Sequence, residues 1–421
     1  MQYQNIIFPK KISHLLLLLC GSMAFFFSCK KDNLDIPVAA GPPSIERVRL
    51  TDPKTTDSSL SQATLGSTLA IVGKNLVGAT TVAFNGYVVD VNPVYATDQY
   101  LVITVPDSVP TVATNPNVPD ELKVTTPKGE AVYKFKILPP PPAIDQISNE
   151  YARAGESITL YGKYFFFVDS ISFPGSAAIT TGFTTSADGT SLTVTVPSGV
   201  TPATGGIFVK SQSGWSADTR ENKLYDHSGI GMTLDWDTKN DGGGILNFGW
   251  GLDAGKAVMN TYPGINAIDN NFAMININIP ANWGWTNDKV IDMDNWSGTN
   301  GGKLFPQTPA DKYDGETPLA SYDLKFEMST LQPIGELILQ LSQGDYGINL
   351  PLKNFVKSAD GKWYTVSVNL GKLVNGGGNA LNKYKDLNNS QTMRIVISNG
   401  TTADIRATMA IDNIRIVKVA N

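Results

Sequence analysis

The sequence predicts an all-β protein, with two small sandwiches in tandem followed by a larger one. Three observations predict it. Beyond residue 29 the apolar residues come in short alternating runs bounded by Gly, Pro, Asn and Asp, and helical periodicity is nearly absent. Two segments, 42–138 and 139–225, carry matching strand patterns in matching order. From about Asp226 to Asn421 the texture changes, with Trp236, Trp250, Trp283, Trp285, Trp296 and Trp363 all in this part. Its roughly 195 residues suffice for one large core.

The N-terminal segment reads as an address. Lys10 and Lys11 precede an apolar run from Ile12 to Phe27, too short and followed by too polar a chain to be a membrane span. Residues 1–28 are therefore expected to be a signal peptide. The run ends in Ser28-Cys29, which resembles a bacterial lipobox, although Phe26 stands where Leu is commoner. Cys20-Gly21 is a rival cleavage point, with the bulkier Leu19 before it. Lys30-Lys31-Asp32 is similar to the surface-export signal of Bacteroidota-type lipoproteins. The resemblance implies lipidation at Cys29, a polar tether over 29–41 and anchoring at the outer membrane, facing outward. Both cysteines lie in this segment, so the remaining chain has no disulfide to form.

Charge and histidine content exclude some functions. Net charge is −5, and a mildly acidic, unclustered chain lacks the basic patch that nucleic acid requires. The only histidines are His14 and His227, which argues against histidine metal sites and Ser-His-Asp chemistry.

The first repeat starts Pro42-Pro43-Ser44-Ile45. It continues through Leu69–Leu76, Val82–Gly86 and Leu101–Pro106, and closes with Leu122–Thr126 and Ala131–Leu138. The second starts Pro141-Pro142-Ala143-Ile144 and continues through Ile158–Phe165, Ile171–Gly175, Leu192–Pro197 and Ile207–Lys210. Gly73 and Gly162 follow apolar runs where a turn or bulge calls for a residue without Cβ. Pro106 and Pro197 end strands because they lack a ladder donor. One Ig-like sandwich per repeat accounts for the pattern. The Pro-Pro-x-Ile start, the apolar-x-Gly-x-x-apolar run and the apolar-x-Phe-x-Gly strand end resemble IPT/TIG domains, which are common in surface proteins. Between the repeats Pro139–Pro142 favour a stiff polyproline II spacer of about 3.1 Å per residue.

In region 226–421 the expected strands are Phe272–Ile279, Tyr322–Met328, Glu336–Leu341, Trp363–Asn369, Met393–Ser398 and Thr408–Val417. Ile275, Ile277 and Ile279 share one face, with Asn276 and Asn278 on the other. The apolar phase shifts between Ile411 and Ile414, predicting a bulge near Asp412-Asn413. The whole reads as a β-sandwich of the carbohydrate-binding-module type.

Sugar recognition needs flat apolar surfaces for pyranose C–H faces, with amides and carboxylates for the hydroxyls. Trp283 and Trp285 are the first candidates. On an extended chain they would share a face roughly 6.6 Å apart, which suits a platform under neighbouring sugars. Trp296, in a polar loop, and Tyr346, between Gly344 and Gly347, are the next. Trp363, opening an apolar strand, is expected in the core, and Trp236 and Trp250 are expected to be structural.

These features together resemble the C-terminal domain of Bacteroidota cell-surface glycan-binding proteins, the group typified by xyloglucan binders. They are Asp241–Gly244 with Gly249–Gly251, the Trp283/Trp285 loop, the strand begun by Trp363 after Asp360-Gly361-Lys362, and Ile411–Arg415. The resemblance implies capture of a β-glucan or other plant-type polysaccharide beside an outer-membrane glycan transporter. Relatives often carry another Trp in the turn that here holds Tyr346, and pocket aromatics set the sugar fit.

Two other functions compete. A glycoside hydrolase would need two carboxylates about 5–9.5 Å apart, for which Asp288, Asp292 and Asp294 are the candidates. An adhesin would use a flat apolar patch for a protein partner. Asp237–Gly242 resembles the start of a calcium loop, but Lys239 occupies a ligand position. No metal, cofactor, catalytic residue or enzymatic activity is expected of this chain.

Overall fold

The computed structural model describes residues 39–55, 58–200, 206–217, 230–234, 236–237, 250–294, 315–388 and 392–419. Cys20, Cys29, Trp296 and the Asp241–Gly244 run lie outside them. The chain divides between Leu138 and Pro139 into two compact units.

The first unit is a sandwich. One sheet joins Ser44–Leu50, Thr68–Lys74 and Tyr100–Thr104, and the other joins Tyr87–Asp90, Thr81–Phe84, Glu121–Thr126 and Gly129–Lys134. A parallel pair, Gln62–Thr64 with Lys136–Leu138, completes it. Alternating residues such as Leu69, Ile71, Leu101, Leu122 and Val124 meet in its core. The second unit opens on the same plan. Ala143–Ile147, Ser157–Lys163, Ser191–Thr195 and Phe183–Thr185 form one sheet, and Val168–Ser172, Phe208–Ser211 and Gly214–Trp215 form the other.

The glycines singled out in the two repeats do the same work. In each domain the opening strand slips by one residue, between Ile45 and Arg47 in the first and between Ile144 and Gln146 in the second. The slip presses a carbonyl into the facing strand. A Cβ on Gly73 would lie 1.8 Å from the Ser44 oxygen, and one on Gly162 would lie 2.0 Å from that of Ala143. The bulge thus sits on the strand opposite the glycine, and the missing Cβ admits it.

The C-terminal sandwich is built around the strand Ile405–Lys418. It pairs with Phe272–Ile279 and Ile230–Leu234 along one edge and with Tyr322–Thr330 along the other; Trp363–Asn369 lies beyond. The facing sheet has the order Val290–Asp294, Thr392–Asn399, Leu337–Gln343, Tyr346–Pro351. Leu324, Phe326, Met328, Ile411 and Ile414 from one sheet meet Ile291, Leu339, Leu341, Ile395 and Ile397 from the other. The expected bulge is present. Lys325 pairs with Arg415 but Glu327 with Asp412, and Asn413 takes the left-handed conformation (φ 52°). This one-residue phase change keeps Ile414 and Ile416 in the core and turns Arg415 to the opposite face.

That opposite face is not solvated. Asp323, Lys325, Glu327, Ser329 and Arg415 are all buried, and Glu150 of the second Ig-like domain bonds to Lys325 and Arg415. Glu150 binds the Lys325 ammonium and, at 2.8 Å, Nη2 of Arg415. Glu327 receives both Arg415 nitrogens, at 2.7 and 3.0 Å, and the Thr365 hydroxyl at 3.0 Å. The Arg415 guanidinium also lies over the Tyr151 ring, 4.7 Å from its centre. Backbone bonds tie the same place, from Glu150 N to the Thr365 hydroxyl (2.8 Å) and from Thr365 N to the Ser148 carbonyl (2.7 Å).

Burial alone would raise the Glu150 carboxyl, but Lys325 and Arg415 outweigh it and hold it below the ordinary range. Burial opposes the charge of Arg415, yet Glu327 and Glu150 raise it above its ordinary value. Tyr151, chiefly through burial, is pushed up to about 12. Burial pushes the Glu327 carboxyl up in spite of Arg415. The cluster sets two carboxyl groups against two cations, so removing Glu150 strands buried positive charge. Glu150→Ala is expected to cost about 3–5 kcal/mol in urea unfolding. Glu336→Ala, which breaks an exposed pair with Lys353 in the same unit, should cost less than about 1 kcal/mol.

Candidate glycan-binding site

The outer face of the four-stranded sheet carries a cleft. In Leu337–Gln343 alternate leucines point to the core, leaving Ile338, Gln340 and Ser342 on the outside. The strand returns through Gly344-Asp345, a two-residue turn whose first glycine has φ 55°, as a type II′ hairpin requires. The register then sets Asn349 beside Gln340 and Gly347 beside Ser342. On the other side Val396 faces Gln340 and Arg394 faces Ser342.

The polar groups of this face hold one another in place. Gln340 donates to Asn349 Oδ1 at 3.1 Å and accepts from the Ser398 hydroxyl. Arg394 donates through Nε to the buried Asp292 carboxylate at 2.9 Å. Above them lies a cleft of about 500 Å3, bounded by Trp285, Gln340, Ile348, Asn349, Val374 and Arg394 among others. Oriented amides and a guanidinium beside an exposed indole can bind a polyhydroxylated ring by its edge and its face together.

Trp285 reaches the cleft from a tightly held loop. Asn282 and Trp283 both take left-handed conformations (φ 51° and 61°), so the chain turns here. The extended spacing expected for Trp283 and Trp285 therefore does not apply. The turn is pinned to the segment after Thr392–Asn399. Asn282 N donates to the Thr401 carbonyl (2.8 Å), Trp283 N to that of Asn399 (2.8 Å), and Ala281 N to Asp404 Oδ1 (2.9 Å). The Trp283 ring lies over Gly400, where a Cβ would come within 2.8 Å of it.

Lys289 is buried beneath the loop, and its ammonium donates to the Gly284 carbonyl at 2.7 Å. Burial lowers its pKa from the ordinary lysine value. Trp285 Nε1 donates to Asn287 at 2.9 Å, which restrains the indole. Both tryptophans are about half exposed, at 51% for Trp283 and 50% for Trp285, but only Trp285 lines the cleft.

The other aromatic candidates separate. Tyr346 packs partly on the main core and lines a neighbouring hollow with Gln343, Asp345, Leu381 and Asn382. Trp296 lies outside the described residues. Trp363 is in a core as expected, edge-on to Phe272 and bonded to the Asn266 carbonyl, and Trp236 is wholly buried. Trp250, expected to be structural, is instead 59% exposed.

Sequence reasoning missed Gln340, Ser342, Arg394 and Lys289. The alternation Leu-Ile-Leu-Gln-Leu-Ser-Gln carried a signal for Gln340 and Ser342, whereas Arg394 and Asn349 join them only through register. Of the carboxylates weighed for hydrolysis, Asp292 is buried against Arg394, and Asp288 lines a different hollow with Leu252 and Tyr262. Asp237, first in the calcium-like run, accepts from the Asn270 side chain (2.8 Å) and Asn271 N (2.6 Å) and so braces a loop.

Comparisons with known proteins bear on this region. Residues 225–418 match the family model described as the surface glycan-binding protein B xyloglucan binding domain. Over 146 residues the chain is 32% identical to an IPT/TIG domain-containing protein from Bacteroides ovatus. That match covers 34% of this chain and 29% of the relative, so the chain spans less than a third of its length. The solved surface glycan-binding protein PbSGBP-B from Prevotella bryantii aligns over 91% of this chain and 100% of its own, with a TM-score of 0.60 and 22% identity, a likeness of fold. SGBP-B from a complex xyloglucan utilization locus in Bacteroides uniformis aligns over 90% and 99%, at 19% identity and a TM-score of 0.44. Residues 225–418 are thus similar to the xyloglucan binding domain of surface glycan-binding protein B, and the rest of the chain shares the fold of such a protein.

Proposed function

We propose that the chain is a lipid-anchored protein of the outer cell surface that captures polysaccharide for a utilisation system, using the cleft beside Trp285. The observation that carries this reading is the pairing of a half-exposed indole with the ordered polar row of Gln340, Asn349 and Arg394. Trp285 stacks on a sugar face while the row bonds the hydroxyls along its edge. Trp283, Tyr346 and Trp296 extend the contact to further sugars. The substrate class is a β-glucan or other plant-type glycan, supported by the xyloglucan-binding description of the matching domain model. Cys29 carries the lipid, and an outer-membrane glycan transporter is the partner that receives the captured chain.

Preorganisation is the physical advantage of this site. The loop holding Trp285 is bonded to the Asn399–Asp404 turn and to Lys289 before any ligand arrives. Binding then loses little further backbone freedom.

A native affinity gel containing xyloglucan tests the function. The chain of residues 30–421 should be retarded, Trp285→Ala should abolish most of the retardation, and Trp283→Ala should reduce it less. Retardation unchanged in Trp285→Ala would remove the cleft from the account, and no retardation by any glycan would favour the adhesin. A second test reads the loop. Lys289→Met should weaken glycan binding roughly tenfold, about 1.4 kcal/mol, by freeing the Gly284 carbonyl. Calorimetric titration should show this loss without a fall in melting temperature.

A further inference from the structure

The junction between the second Ig-like domain and the C-terminal sandwich holds a cavity of about 450 Å3, within the size range of small-molecule sites. One wall is the outward face of a sheet. Alternation in Ser157–Lys163 sends Ile158 and Leu160 into the core and turns Ser157, Thr159 and Tyr161 outward, with Thr193 of the next strand beside Thr159. The opposite wall comes from the C-terminal sandwich, in the segments 266–268 and 361–364. Neither domain makes the cavity alone. Its walls are held in register by the buried ion cluster, since Ser148, Asn149 and Tyr151, which flank Glu150, belong to the lining.

The lining selects a ligand class. Hydroxyls from Ser157, Thr159, Thr193 and Tyr161 form a row on one side, with Trp363 and Tyr364 on the other. The two charged members are already engaged. Glu156 accepts from Arg153 N at 2.7 Å, and Lys362 pairs with Asp360 at 3.0 Å. An anion would have to compete with Asp360 for Lys362, and a purely apolar ligand would cover a row of hydroxyls in which Thr159 and Thr193 already bond one another at 3.1 Å. A neutral polyhydroxylated molecule with apolar ring faces suits both walls.

We infer that this junction is a second carbohydrate-binding site, separate from the Trp285 cleft, taking a neutral saccharide of roughly one or two rings. It does not depend on the cleft being correctly assigned. Its place on both domains makes the junction itself a ligand contact, so a saccharide bound there braces one domain against the other.

Cellobiose is the probe, with the chain of residues 30–421, which keeps every described residue. Saturation-transfer NMR should detect cellobiose on both the unaltered chain and Trp285→Ala. Thr193→Trp and Ser157→Phe, each filling the cavity from its sheet face, should weaken that binding at least tenfold in the Trp285→Ala background. Both filling variants should still be retarded by xyloglucan when Trp285 is intact. On the unaltered chain, cellobiose should slow hydrogen exchange within 157–161 and 361–364, a readout independent of any variant. Absence of cellobiose binding, binding abolished by Trp285→Ala, binding indifferent to both filling variants, or unchanged exchange in those segments would each overturn the assignment.

Discussion

Two carboxylates, a guanidinium and an ammonium lie buried between the second Ig-like domain and the C-terminal sandwich, and much of the second unit depends on them. Charges this deep persist only when paired and hydrogen-bonded, and here Glu150 pairs with Lys325 and Arg415, and Glu327 with Arg415. The requirement reaches back to local structure. Arg415 faces the junction because a bulge with left-handed Asn413 shifts the phase of the central strand. Lys325 and Glu327 face it because Tyr322–Thr330 alternates without interruption. The consequence is that the second Ig-like domain acts as a mount for the C-terminal sandwich rather than as a bead on a string.

Much of the architecture was legible in the sequence, for identifiable reasons. Repetition of whole strand patterns exposed the two Ig-like domains, and the glycines at 73 and 162 marked a real constraint. Their role was understood only when the bulge appeared on the facing strand. The bulge in the last strand was legible because a buried strand cannot change apolar phase without one. The junction was not. Tyr-Asp-Leu-Lys-Phe-Glu-Met-Ser reads as an ordinary strand with a solvated face, and nothing local says that another domain covers it. The charges that look most solvent-directed are among the most deeply buried.

The site divides along the same line. The exposure of Trp285 was legible from its polar flanks, but its expected partnership with Trp283 assumed an extended chain. Two successive left-handed residues and a lysine beneath Gly284 make a turn in its place. Trp250 shows the opposite error, since glycine flanks suggested a structural role for a side chain that is exposed. The polar half of the cleft depends on cross-strand register between residues far apart in sequence, which a single sequence does not display.

The resulting picture is a cleft whose shape is set before ligand arrives, carried on a sandwich that is locked to its neighbour. The most direct test is a crystal structure of the chain with a xyloglucan-derived oligosaccharide. The account predicts a pyranose ring stacked on the Trp285 indole, with its hydroxyls bonded to Gln340, Asn349 or Arg394 and the loop backbone unmoved. A sugar bound elsewhere on the C-terminal sandwich with the cleft empty, or a loop that unfolds from Lys289 to bind it, would contradict the account.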